Sequence, residues 1–233
     1  MLDPPLGERV DVLLHPRRVQ NPPRLIALTF DDGPYPVTTP LLLDRLHDLG
    51  VTATFFLIGD DAERYPELTR RIARAGNEIG NHTWSHPDLD RLDATAIAQQ
   101  MARAQETLVP LAGSRSPAQI MRPPHGRYNE ASIKALQAAG YDVVLWSDAP
   151  GDWQSTTAQQ LAAHMLAKAT APEIVLLHSG SLPTIEMLGS VVPRFRAAGY
   201  RFVTVSRLVA EVGTQGINEW SHIELETVSG RER

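Results

Sequence analysis

The chain has no cysteine among its 233 residues. That removes disulfide frameworks and thiolate-ligated metal sites, and it says nothing about redox compartment. It also lacks any run approaching the roughly eighteen consecutive apolar residues that a membrane span requires. The first twenty-four residues carry no apolar core of a signal peptide, so either the protein stays inside the cell or its export signal lies outside this sequence. No Lys/Arg block and no basic stripe interleaved with aromatics is present, and the net charge is −5. A nucleic-acid partner is therefore not expected. No internal repeat of solenoid length appears, and nothing in the composition divides the chain into two folded units.

What is present is an alternation of short apolar runs with amphipathic segments of helical period, the pattern of βα units around a parallel sheet. It predicts strands at 25–30, 53–58, 78–81, 119–121, 142–146, 174–177 and 202–205, with helices at 40–49, 62–75, 94–108, 129–139, 158–169 and 185–198. Gly50, Gly76, Gly140 and Gly199 stand where left-handed residues would end four of these helices. Five prolines before Leu25 make residues 1–24 an extended arm, with one short strand near 10–14. The α/β domain spans 25–210, and the polar residues 211–233 read as a C-terminal extension.

Chemistry-bearing residues collect after the predicted strands. Asp31 and Asp32 end the first, His82 and His86 follow the third, Arg122 the fourth, Asp152 the fifth, and His178 ends the sixth. In a parallel α/β sheet or barrel those segments meet at one edge, where such folds place their sites. One carboxylate and two imidazoles make a three-ligand set for a divalent metal with a position left open, the pattern of catalytic rather than structural sites. Asp32 reads as the ligand, with His82 and His86, and Asp31 as the base for an activated water. A single helical turn over 82–86 would put both rings on one face, and Pro87 would end it.

The remaining candidates have two readings each. Arg122, in Arg122-Pro123-Pro124-His125-Gly126, can keep Asp31 ionised and oriented, or the run is a polyproline-like surface loop. The His125 amide is placed to donate to an oxyanion. Asp152 would tether Arg122 or orient His178, Trp153 would wall the cleft or sit in the core, and His178 would protonate a leaving amine or be structural. His15, His47, His164 and His222 receive no role.

Together, TFDDGP, NHTWSHPDL, RPPHG, DW and LLHSG, in this order, resemble the polysaccharide deacetylases that share the NodB homology domain, carbohydrate esterase family 4. The resemblance covers roughly residues 25–208. It implies a single-domain α/β fold, a distorted (β/α)7 barrel, and removal of acetyl groups from N-acetylglucosamine units of chitin or peptidoglycan, or of acetyl esters from xylan. It further implies a divalent metal on Asp32, His82 and His86, most simply Zn2+, with Co2+, Ni2+ or Mn2+ also accommodated by such a donor set. Asp31 then matches the base, Arg122 the residue orienting it, His178 the general acid, Asp152 its supporting carboxylate, and Leu176 the contact for the acetyl methyl. Two departures stand out: His125 where the family more often has tyrosine, and Asp148 one place earlier than the expected acidic residue, which leaves Asp148 unassigned. The competing readings are a hydrolase of small cyclic amides, imides or acetyl esters on the same barrel, and a carbohydrate-binding relative without turnover.

Overall fold

The computed structural model of the chain describes residues 23–113 and 119–218, the last six by backbone alone. The short strand expected near 10–14 lies outside the described residues. Among the described residues, seven parallel strands form one sheet: β1 (Leu25–Asp31), β2 (Thr54–Leu57), β3 (Glu78–Asn81), β4 (Ile120–Met121), β5 (Asp142–Val143), β6 (Glu173–His178) and β7 (Arg201–Phe202). Their hydrogen-bonded order is β5-β4-β3-β2-β1-β6. Ile26 pairs with Glu173 on one edge of β1 and with Phe202 on the other, so β7 occupies the foot of the edge that β2 takes from Thr29 upward.

The two ends of this series meet. A bridge joins Asp148 to Val175, with Leu176 N–H donating to the Asp148 carbonyl and the Ser147 and Asp148 amides donating to Ile174. The sheet therefore curls into a distorted (β/α)7 barrel, a single domain whose seam is this one short bridge.

The helices are α1 (Thr38–Asp48), α2 (Gly59–Arg64), α3 (Pro66–Arg74), α4 (Ala94–Ala112), α5 (Glu130–Ala138), α6 (Ala158–Lys168), α7 (Leu182–Ala197) and α8 (Val205–Asn218). Among the described residues no helix is long and apolar enough to cross a membrane. Period-2 alternation divides β1 between two cores. Ile26, Leu28 and Phe30 pack outward with Leu42, Leu46 and Val191 of α1 and α7, whereas Leu25 and Ala27 face inward with Phe56, Ile120 and Ile174. The same alternation puts Thr29 and Asp31 on the inner face, at the upper end of the barrel.

Gly50, Gly76, Gly140 and Gly199 have φ of 59°, 87°, 83° and 83°, as their helix-end positions demanded. The helix expected over 62–75 is instead two, because Pro66 has no N–H to give and excludes helical geometry at Tyr65, whose φ and ψ are −127° and 61°. The expected strand at 142–146 stops at Val143, since the carbonyls of Val144 and Leu145 are taken by the Arg122 side chain rather than by a neighbouring strand. Residues 202–205 are mostly not strand either: Val205 opens α8, its N–H donating to Thr54 Oγ1 at 2.9 Å. No helix was expected after 198, yet α8 carries Val205 and Leu208 into the inner core and runs through residue 210.

Candidate active site

Strand alternation alone would send Asp31 and Asp32 to opposite faces. The chain leaves β1 through two left-handed residues, Asp32 (φ 66°) and Gly33 (φ 71°), which turn the second carboxylate back over the barrel mouth. A Cβ at position 33 would stand 2.8 Å from Ser179 Oγ, so this turn requires glycine for space as well as for φ.

The segment 82–86 is not the helical turn expected from its spacing. It is a loop with Thr83 and His86 both left-handed, at φ 69° and 60°, and this loop brings the two rings together. His82 is buried, and its Nδ1 lies 2.7 Å from the Arg122 carbonyl. A carbonyl can only accept, so Nδ1 carries the hydrogen and Nε2 keeps a bare lone pair. Burial also pushes the His82 pKa down to about 3, so the ring is neutral at any physiological pH. Its Nε2 lies 3.2 Å from His86 Nε2, and Asp32 Oδ1 lies 3.6 Å and 3.3 Å from the two nitrogens. Asp32, His82 and His86 thus form a possible metal site, their ligand-type atoms all within 4.8 Å of one another.

Asp31 stands beside this cluster, only 4% exposed, with Oδ2 3.8 Å from His82 Nε2. Oδ1 accepts from Arg122 Nη1 at 2.7 Å. Burial raises the Asp31 pKa, and the nearby Arg122 and His178 charges offset it only in part. Arg122 is fully buried and every arm is occupied: Nη1 also donates to Thr29 Oγ1, Nε to the Val144 carbonyl and Nη2 to the Leu145 carbonyl. Its guanidinium carbon lies 4.3 Å from the centre of the Phe56 ring. The arginine is thus a fixed strut across the barrel, and the surface-loop reading of its segment does not hold for this side chain.

On the opposite side, Asp152 holds His178 and not Arg122. Its Oδ1 lies 2.8 Å from His178 Nδ1, and its Oδ2 accepts from the His178 amide at 2.8 Å and from Thr184 Oγ1 at 2.6 Å. Burial works to lower the His178 pKa, but the hydrogen bond and charge of Asp152 outweigh it, and the net shift is upward. Trp153 is 53% exposed with its ring edge-on to His178 at 5.3 Å, so it is a rim residue and not a core one. Leu176 is buried, on the same inward register of β6 as Ile174 and His178. His125 is left-handed (φ 56°), with its Nδ1 2.8 Å from Asp88 Oδ1 and its ring 4.5 Å from that of His86. Asp148 lies apart from this constellation, at the barrel seam with His164 Nε2 2.7 Å away.

A motif reading passes over several participants. Thr29 ties Arg122 to β6 by donating to the Val175 carbonyl at 2.6 Å; its polarity within an otherwise apolar, buried strand was the available signal. Ser179 donates to the carbonyls of Asp31 and Asp32, each at 3.2 Å, and Thr184 secures Asp152 from a helix position that no pattern marks.

Residues 18–144 match the polysaccharide deacetylase family. The chain belongs to that family. Two peptidoglycan-N-acetylglucosamine deacetylases of Bacillus cereus are each 36% identical to it. One match covers 82% of this chain and 91% of the relative, the other 77% of this chain and 66% of the relative, just under two thirds of that protein's length. The structure of the peptidoglycan deacetylase PdaC from Bacillus subtilis superposes with a TM-score of 0.74 at 35% identity, covering 84% of this chain and 93% of that one. The matched stretch, residues 18–144, contains Asp32, His82 and His86.

Proposed function

We propose that the protein is a metal-dependent deacetylase that hydrolyses the acetamide of N-acetylglucosamine units in a polysaccharide or oligosaccharide of peptidoglycan or chitin type. The observation that carries this is the convergence of Asp32, His82 and His86 beside a buried Asp31 that Arg122 holds by one oxygen only. The donor set fits a divalent cation: one carboxylate oxygen and two imidazole nitrogens, one of them with its tautomer fixed by the Arg122 carbonyl. Two imidazoles and one carboxylate suit Zn2+ and accept Co2+, Ni2+ or Mn2+. Bound there, such a cation supplies a Lewis acid that polarises a carbonyl and lowers the pKa of water.

The chain's own residues supply the rest. Asp31 takes the proton of the attacking water on Oδ2, the oxygen Arg122 leaves free, and its raised pKa makes it a stronger base than an ordinary carboxylate. Arg122 fixes the direction of that carboxylate. The backbone amide of His125 donates to the developing oxyanion. His178, its Nδ1 engaged by Asp152 and its protonated form favoured, delivers a proton from Nε2 to the departing amine. Leu176 receives the acetyl methyl, and the exposed ring of Trp153 forms one wall for the sugar.

The test is acetate release by metal-reconstituted protein from chitooligosaccharides, peptidoglycan fragments, acetylated xylan and a panel of cyclic imides. Release from the first two substrates above the others supports this reading. Turnover confined to esters or imides would replace it with one of the competing activities, and no turnover of any substrate would leave a binding protein.

A further inference from the structure

The loop that presents His86 is strained and clamped from a distance. Thr83 is β-branched yet left-handed, and His86 is left-handed as well, conformations that persist only where the surroundings impose them. Near the strand, the loop is held by its neighbours: Asn81 Oδ1 accepts from the Thr83 amide at 2.8 Å, and the Thr83 and Trp84 carbonyls accept from the amides of Gly59 and Asp60, each at 3.0 Å. Beyond Thr83 the two amides at the crest, Trp84 and Ser85, both donate to a single atom, Gln100 Oε1, at 3.0 and 2.9 Å. Gln100 Nε2 in turn donates to Ser85 Oγ at 3.0 Å. Gln100 sits on α4, outside the barrel and fourteen positions from His86 in sequence.

We infer that Gln100 is a positioning residue for the metal centre, its amide oxygen fixing the crest of the 82–86 loop so that the His86 ring reaches the point shared by His82 and Asp32. This rests on the metal-binding reading above. Removing the acceptor leaves two loop amides to water while Thr83 stays held by Asn81 and Gly59. Beyond it the His86 amide keeps its bond to Thr83 Oγ1 at 3.1 Å, but the crest between them is released, and the His86 ring moves away from the cluster. Groups that hydrogen-bond a metal ligand directly typically change affinity about 10–100-fold when altered, and loss of the backbone support under His86 is expected on the same scale.

The experiment measures the zinc dissociation constant of the parent, Gln100→Leu and Gln100→Glu by competition with a chelating dye, with the melting temperature of each metal-free protein as a parallel readout. Leucine keeps bulk without an acceptor, and glutamate keeps the acceptor without the donor. The expected result is zinc binding about 10–100-fold weaker in Gln100→Leu and within about threefold of the parent in Gln100→Glu, with both metal-free proteins melting close to the parent. Should Gln100→Leu not fold, Gln100→Asn, which withdraws the oxygen by one methylene, is measured in its place with the same expected loss. Parent-like affinity without the acceptor, or equal loss in Gln100→Glu, would overturn the inference. A parent that binds no zinc would instead defeat the metal reading itself.

Discussion

At the scale of the residue, two adjacent aspartates do different work because their surroundings differ. Asp31 is buried and bonded to a guanidinium, while Asp32 is turned back over the barrel mouth toward two imidazoles. Asp31→Asn preserves the shape and leaves the ligand set untouched; the expected outcome is retained metal with kcat lower by ~10² to 10⁴, the usual worth of a positioned base, read by initial rates at saturating substrate. The acid side gives a pH prediction. Asp152 raises the His178 pKa, and the acid must be protonated to donate, so activity falls as pH rises through that pKa. Asp152→Asn removes the charge, lowers the His178 pKa and moves the alkaline limb of the kcat/KM profile to lower pH. An unmoved limb would take His178 out of the acid role.

At the scale of the element, the inner face of the barrel couples packing to the site. A Cβ added to Gly80 on β3 would meet two ring carbons of Phe56 at 2.6 Å, and that ring lies under the Arg122 guanidinium. Gly80→Ala is expected to cost about 1–3 kcal/mol of stability through overpacking, seen as a lower urea midpoint with unchanged slope, and to reduce turnover by displacing the strut that orients Asp31. The elements themselves were largely legible before the structure. The strands easiest to read were β1, β2 and β6, almost wholly apolar because a parallel strand buried on both faces has no polar side to interrupt it. By contrast β3, β5 and β7 carry Glu78 and Asn81, Asp142 and Arg201, and were marked less by apolarity than by their place between helices. The His82 and His86 pair was legible as a ligand set, but its geometry was not, since the left-handed loop between them is held by side-chain acceptors for its amides from Asn81, from Thr83 itself and from Gln100 on α4. The early end of β5 was equally hidden: a side chain, Arg122, takes the carbonyls that a strand would have taken.

At the scale of the whole molecule, the barrel closes at one short seam, and no periodicity in the sequence could disclose a bridge between Asp148 and Val175. Beside that seam Glu173 is buried, and burial together with the Asp148 charge pushes its pKa up to about 8 from 4.5. The folded state therefore keeps a proton that the unfolded chain releases, and stability falls as pH rises from about 4.5 to about 8. Glu173→Gln is expected to flatten this part of the stability profile and to raise the melting temperature at pH 8 relative to the parent. An unchanged slope between those limits would contradict it.

The proposed chemistry depends on a cation shared by Asp32, His82 and His86. Its most direct test is the metal content of purified protein after zinc loading and exhaustive dialysis, compared between the parent and His86→Ala. The expected result is one zinc per chain in the parent and almost none in the variant. Equal zinc in both proteins, or none in the parent, would contradict it.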